Sequence, residues 1–387
     1  MTSADALDLH LSPEQRDLYA RTRTLAADAL RPIADAGTPG RVNRPLVQAL
    51  AEHGLLARLF DPDQASALEL CLVREALARG CTEAETAFAL QGLGAYPILQ
   101  SGQTDLRDEW IPRVADGTAV AAFALTEPAA GSDPAALNLH AAPDGEGGYV
   151  LNGEKLWISN APEADVYTVF ARSEASTGAR GLTAFAVPGD TPGLGGEPRE
   201  MLAPHAIGSL TFSDVRVGAG QVLGEPGAGF RVAMRTLDLF RPSVGAFAIG
   251  MARTALELAA GYAVTRETFG KPLSGHQAVA HRLAELHAQT EAARLLVHQA
   301  ALAHDAGIPD PALAAMSKLL ATEIAQTAVD AAVQFHGAVA LEQGHPLEHL
   351  YRDVRAPRIY EGASEIQREI IARSLFRAAQ TDAEGGS

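Results

Sequence analysis

Few groups in this chain have a type and spacing that could do chemistry. Tyr360-Glu361-Gly362 sets a carboxylate beside a glycine. Taken alone, it reads equally as a positioned general base or as a solvated glutamate entering a helix. Trp157-Ile158-Ser159 puts a large ring beside a hydroxyl; alone it reads as a core aromatic of a β-domain. His345-Pro346-Leu347-Glu348-His349 carries the letters of an inverted zinc-protease motif. Pro346 makes His345 a helix cap outside the first turn, and no third ligand is evident, so no metal site is expected. Gly224-Glu225-Pro226-Gly227-Ala228-Gly229 lacks the following Lys-Ser/Thr of a phosphate loop and reads as a turn before a helix near Phe230. His281, His287, His298 and His304 fall at mixed spacings on helical surfaces and read as solvated. Cys71 and Cys81 have no C-x-x-C or zinc spacing and read as buried free thiols.

Three zones must position these groups. Residues 1–120 read helical. Ser12-Pro13-Glu14-Gln15 has the form of a capping box with proline at the first helical position, and breaks are expected at Pro39-Gly40 and Asp61-Pro62-Asp63. Residues 121–221 carry strand-like runs at 148–151, 155–158, 166–171, 182–187 and 210–217. Asn152-Gly153 between two of them signals a hairpin. Short strands without long helices between them predict a small antiparallel barrel or sandwich. Residues 222–378 are helical again. Val279, Leu283, Leu286, Thr290, Ala293, Val297 and Ala300 form one buried stripe. A second long run spans 312–335 after a break at 307–311. Residues 379–387 read as a disordered tail. No G-x-G-x-x-G or G-x-x-x-x-G-K-[ST] is present, so a Rossmann fingerprint would not hold a dinucleotide here.

The 387 residues are 47% apolar and 20% charged, enough for a multi-layered globular core. A net charge of -16 disfavours nucleic acid and anionic membranes, and a site for any polyanionic ligand would have to be a local basic patch. The first eleven residues lack a basic start and an apolar run, and no 18-residue apolar stretch exists. The expectation is a cytoplasmic protein without membrane insertion.

Four stretches carry a resemblance: Phe123-Ala124-Leu125-Thr126-Glu127-Pro128-Ala129-Ala130-Gly131-Ser132-Asp133, Leu156-Trp157-Ile158-Ser159-Asn160, Arg266 to Leu273 with His276-Gln277, and Arg358-Ile359-Tyr360-Glu361-Gly362-Ala363-Ser364-Glu365-Ile366-Gln367. In this order the chain resembles the acyl-CoA dehydrogenase family from about residue 12 to 377. The resemblance implies an α+β chain with an N-terminal α-helical domain, a middle antiparallel β-barrel or sandwich domain and a C-terminal four-helix bundle. It implies FAD as cofactor and an acyl-CoA substrate in lipid metabolism, desaturated to the trans-2-enoyl-CoA. Glu361 would abstract the α-proton while the β-hydride passes to flavin N5. Phe123, Leu125, Thr126, Gly131 and Ser132 would meet the flavin edge, and Trp157, Ile158 and Ser159 would flank the ring with the Ser159 hydroxyl near N5. Arg266, Phe269 and Gln277 would reach the FAD of a neighbouring subunit in a homodimer or homotetramer, and His276, Gln334, Gly337 and Ala338 would be further FAD contacts. Ala363 and Glu365 would complete the cofactor set. Ser132, Asp238, Phe240, Arg241, Tyr360 and Gly362 would touch the acyl or CoA parts of the substrate.

Some relatives place the base where this chain has Phe240, so Glu361 has no rival there. Ala129, Ala338 and Ala363 depart from residues common in the family. Residues 202–209 are shorter than usual and lack an arginine. The reading is a dehydrogenase passing electrons to an electron-transferring flavoprotein. An acyl-CoA oxidase reoxidised by oxygen and a non-catalytic relative are the alternatives.

Overall fold

The computed structural model describes residues 8–60, 66–173 and 178–385. The break expected at Asp61-Pro62-Asp63 lies outside them. The chain divides into two compact units. One comprises Met1–Asp28, Ser66–Thr82 and Asp238–Ser387; the other comprises Ala29–Ala65 and Glu83–Leu237. The N-terminal helical zone is therefore shared between them.

In the second unit, helices Arg44–Glu52, Thr82–Ser101 and Thr104–Ala115 accompany an eight-stranded sheet. Its strands are β1 (Ala121–Ala124), β2 (His140–Pro143), β3 (Tyr149–Ser159), β4 (Val166–Arg172), β5 (Leu182–Pro188), β6 (Leu194–Gly195), β7 (Ile207–Val217) and β8 (Val222–Leu223). The order is β6-β7-β3-β2-β4-β5-β8, with β1 parallel to β4. Most pairings are antiparallel; β2 also meets β4 in parallel at one position. Helix Thr82–Ser101 comes within backbone distance of β1 because Gly94 has no side chain. A Cβ there would meet the Ala122 nitrogen at 2.6 Å. Gln91 then bonds the Ala119 carbonyl (2.9 Å) and the Ala121 N–H (2.8 Å), fixing the start of β1.

The hairpin expected at Asn152-Gly153 is not formed. The two runs are one eleven-residue strand, β3, pairing antiparallel with β7. The Asn152 side chain bonds Asp214 across that pairing instead of closing a turn. Gly153, at φ 135°, sits in a register shift against β7, packed on Leu139. A glycine inside a strand that approaches a neighbour closely marks a bulge.

In the first unit, helix Pro13–Leu25 opens on the expected capping box, with Ser12 and Gln15 bonded reciprocally. Four long helices follow later in the chain: Gly229–Thr265, whose first turns belong to the other unit, then Gln277–Asp305, Pro311–His336 and Ser364–Gly385. Leu286, Thr290, Ala293, Val297 and Ala300 are buried as the stripe requires. The tail expected from residue 379 is helical to Gly385, since no helix breaker precedes that glycine; Gly386 and Ser387 lie outside the described residues. Helix Gly229–Thr265 is long and apolar enough to cross a membrane, but 67% of its most apolar window is buried inside the protein, as in a core helix.

His298 is not solvated. It is fully buried beside Glu75, and its Nδ1 lies 2.8 Å from His10 Nε2. Arg294 Nε bonds both Glu75 oxygens at 2.9 Å, its Nη1 meets Asp8 at 2.6 Å, and Arg253 adds a second cation to Glu75 at 2.6 Å. Burial opposes ionisation of Glu75, but Arg294, His298 and Arg253 together hold its carboxyl well below the usual range. Asp8 and His10 thereby anchor the first described residues to helix Gln277–Asp305.

Candidate active site

The expected site residues fall into three groups. The first lies in the sheet unit. The Leu156 N–H donates to the Thr126 carbonyl at 3.0 Å, drawing residues 123–126 and 156–159 together. Lys155 stitches the same place. Its Nζ donates to the Leu125 carbonyl (2.9 Å) and to Glu127 (2.8 Å), whose carboxylate also accepts the Asn138 and Leu139 N–H groups at 2.6 and 2.8 Å. Lys155 is fully buried, and burial pulls its ammonium down to about 8 against the pull of Glu127. The Leu125 and Thr126 carbonyls are thus already engaged within the protein.

Trp157 (φ 56°) and Asn160 (φ 66°) are left-handed, a conformation costing non-glycine residues roughly 1–2 kcal/mol each. Asn160 is held there by its amide on the Ala121 carbonyl and by its N–H on Ala206. The Trp157 ring is 48% exposed, whereas Ile158 is buried. Ser159 Oγ lies 3.1 Å from His205 Nε2. Gly131 and Ser132 are exposed in the loop after β1, and a Cβ on Gly131 would meet open space.

The second group surrounds Glu361 in the other unit. Glu361 (φ 51°) and Gly362 (φ 92°) are consecutive left-handed residues. Lys318, fully buried in helix Pro311–His336, donates to the carbonyls of Tyr360 (2.9 Å) and Gly362 (2.6 Å). Gln367 donates to Gly362 at 2.8 Å. Burial raises the Glu361 carboxyl above its ordinary value; Arg74, Lys318 and Arg241 pull the other way without overcoming it. Glu361 Oε2 and Arg241 Nε are buried with no hydrogen-bond partner among the described residues. Arg241 pairs with Asp238 at 3.0 Å, Phe240 is buried, and Arg74 is fixed by Ser243 at 2.6 Å. Ala363 and Glu365 follow at the start of the last helix, where Glu365 pairs with Arg368.

The third group lies apart from the second. Phe269 (φ 51°) and Gly270 (φ 81°) form the two-residue turn of a small hairpin, Glu267–Thr268 with Lys271–Pro272. Positive φ at both positions is the requirement of a type I′ turn. The Phe269 ring is 97% exposed, Arg266 and Gln277 are exposed, and His276 caps the next helix. Tyr262 stacks on His336 at 4.3 Å, which sets this hairpin beside Gln334, Gly337 and Ala338. His336 is eighteen residues beyond Lys318 on one helix, about 27 Å at 1.5 Å per residue. This group and Glu361 cannot serve one compact centre within a single chain.

His345 is the N-cap of helix Pro346–Asp353, as its proline implies, and Gly224–Ala228 turns into the helix at Gly229. Lys155, Glu127, Lys318, Arg74 and His205 escaped the sequence reading. The one signal available was a lysine inside the apolar run Met316-Ser317-Lys318-Leu319-Leu320.

Family models agree with this architecture along nearly the whole chain. The acyl-CoA dehydrogenase N-terminal domain matches residues 12–118, the middle domain 122–217 and the C-terminal domain 227–376. The chain belongs to the acyl-CoA dehydrogenase family of FAD-dependent oxidoreductases. It is 34% identical to cyclohexane-1-carbonyl-CoA dehydrogenase of Geobacter metallireducens, covering 95% of this chain and 99% of that one. It is 36% identical to the mitochondrial short-chain specific acyl-CoA dehydrogenase of Bos taurus, covering 95% and 91%. The structure of butyryl-CoA dehydrogenase from Megasphaera elsdenii superposes with a TM-score of 0.89 at 33% identity, covering 95% and 99%.

The residues present fit a flavin. A half-exposed indole on a left-handed residue of β3, the Ser159 hydroxyl beside it and a glycine opening into space lie in adjoining segments of the sheet unit.

Proposed function

We propose that the protein removes the α- and β-hydrogens of an acyl-CoA thioester to give the trans-2-enoyl-CoA, with Glu361 as the base. The observation that carries this reading is the unpartnered, buried Oε2 of Glu361. A buried polar atom without a partner costs about 1–3 kcal/mol, so its retention calls for a function. Burial raises its affinity for a proton, which a base for a weak carbon acid needs. Bound FAD supplies the hydride acceptor. The chain's own residues orient the thioester and accept its α-proton. Tyr360 and Gly362 flank the base, Gly362 permits close approach of the thioester, and Asp238, Phe240, Arg241 and Ser132 contact the acyl or CoA portions. Phe123, Leu125, Thr126, Gly131, Trp157, Ile158 and Ser159 hold the isoalloxazine, with Ala363 and Glu365 completing the set.

Arg266, Phe269, His276, Gln277, Gln334, Gly337 and Ala338 serve the FAD of a second subunit in a homodimer or homotetramer. The distance of this group from Glu361 and the full exposure of Phe269 support that assignment. The electron acceptor is an electron-transferring flavoprotein. The test is anaerobic bleaching of the flavin by a panel of acyl-CoA thioesters. Bleaching by at least one thioester, lost in Glu361→Gln while FAD stays bound, is expected. A Glu361→Gln protein that still bleaches refutes the base, and rapid recolouring in air in place of transfer to the flavoprotein refutes the acceptor.

A further inference from the structure

The Tyr360-Glu361-Gly362 turn holds two left-handed residues in succession, the first with a full side chain. Such a turn persists only where its surroundings over-determine it. Lys318 meets that need from outside the motif. It is fully buried, and its Nζ lies 2.9 Å from the Tyr360 carbonyl and 2.6 Å from the Gly362 carbonyl. It therefore bonds the residue on either side of Glu361 and skips Glu361 itself. Gln367 supplies a second tie, at 2.8 Å to Gly362 and 3.4 Å to Glu361. A side chain at Gly362 would meet the Gln367 amide at 2.6 Å. With both neighbouring carbonyls tied to helix Pro311–His336, the Glu361 carboxyl is left as the free end of a fixed turn, and its Oε2 has no competing partner.

We propose that Lys318 is the positioning residue of the catalytic base: it locks the Tyr360–Gly362 turn and, through its charge, limits how strongly Glu361 holds a proton. The inference rests on the reading of Glu361 as the base. Charge and geometry act together here. An ammonium can donate to both carbonyls while stabilising the ionised carboxylate nearby. The groups that bear on the Glu361 carboxyl are Arg74 of helix Ala67–Gly80, Arg241 of helix Gly229–Thr265 and Lys318 of helix Pro311–His336. Lys318 bonds the Tyr360–Gly362 backbone at both neighbouring carbonyls. Burial draws its own ammonium down to about 8, so its charge is the one most readily lost on the alkaline side.

The test uses FAD-loaded protein and the best acyl-CoA of the panel, with rapid-mixing measurement of bleaching across pH. Lys318→Met keeps an unbranched side chain of nearly the same length and removes both donors and charge. The expected result is a bleaching rate reduced about tenfold to a hundredfold at neutral pH, the scale on which misplacing a catalytic group costs rate. Half-saturation by the thioester should change by less than about threefold, and the acid limb of the rate profile should move to higher pH. Lys318→Arg, which restores charge and donors, should bring that limb back. If Lys318→Met does not fold, Lys318→Gln takes its place in the same measurement. A folded, FAD-loaded variant with unchanged rate and unchanged acid limb overturns the proposal, as does a rate loss without movement of the limb. Glu361→Gln is run alongside. If it still bleaches, the base reading itself is lost; if it is inert while Lys318→Met behaves as wild type, only the role of Lys318 is.

Discussion

Lys155→Met should both destabilise the sheet unit and release its cofactor. Lys155 and Glu127 form a pair removed from water, 2.8 Å apart, with side chains 0% and 6% exposed. Methionine fills nearly the same volume, so no cavity term arises. What changes is that Glu127 keeps two backbone N–H donors, from Asn138 and Leu139, and loses its cation. The Leu125 carbonyl loses its donor as well. Removing one partner of a buried pair costs about 3–5 kcal/mol. At about 2–4 °C per kcal/mol for a unit of this size, the melting temperature should fall by about 6–20 °C. Leu125 and Thr126 adjoin the broken pair, so FAD should leave below the melting transition, seen as a rise in free-flavin fluorescence during the same scan. Adding Glu127→Gln removes the stranded charge, and the double variant should melt above Lys155→Met. A Lys155→Met protein melting within about 1 °C of wild type, or a double variant no better than the single, would refute the claim that this pair holds the segment.

Two further outcomes follow from the site. Because burial outweighs the surrounding cations, Glu361 holds its proton more tightly in the folded protein than in the unfolded chain, so this group's stabilising contribution is present at low pH and is lost as pH rises through its elevated value. Glu361→Gln should therefore melt higher than wild type at pH 7, with the gap closing toward pH 4.5; a lower melting temperature at pH 7 contradicts the sign. His205→Phe keeps a ring but strips the Ser159 hydroxyl of its nitrogen partner. FAD affinity, followed by fluorescence, should weaken about threefold to tenfold, the worth of one hydrogen bond. His205→Gln should recover most of it, and equal losses in both variants would sink the argument.

The zones of the fold were legible because periodicity and turn residues act locally. The capping box at Ser12, the stripe from Leu286 to Ala300 and the cap at His345 all rest on neighbours within a turn or two. Asn152-Gly153 misled because the same residues that make a tight turn also make a bulge. Asp214, 62 residues away, decided between them. His298 misled for a related reason: helical spacing shows which face a residue lies on, but not that Glu75 and His10 come to cover that face. The residues proposed for the flavin edge and for the base were readable as motif letters. Their supports were not. Lys155 finds Glu127 across 28 residues, Ser159 finds His205 across 46, and Lys318 reaches Gly362 across 44. Pairings that long depend on chain topology, which no local spacing encodes.

The anchoring of Asp8 and His10 has a practical side for anyone producing the protein. A fusion partner joined directly ahead of Asp8, or a protease cut beyond His10, would disturb an acceptor for the fully buried Arg294 and the ring nitrogen set against His298. The damage would reach Glu75 and helix Gln277–Asp305 and would register as poor yield, with no mutation to blame. Leu375 and Phe376, late in the last helix, are exposed instead. Purification handles and surface-attachment chemistry therefore belong at that end of the chain.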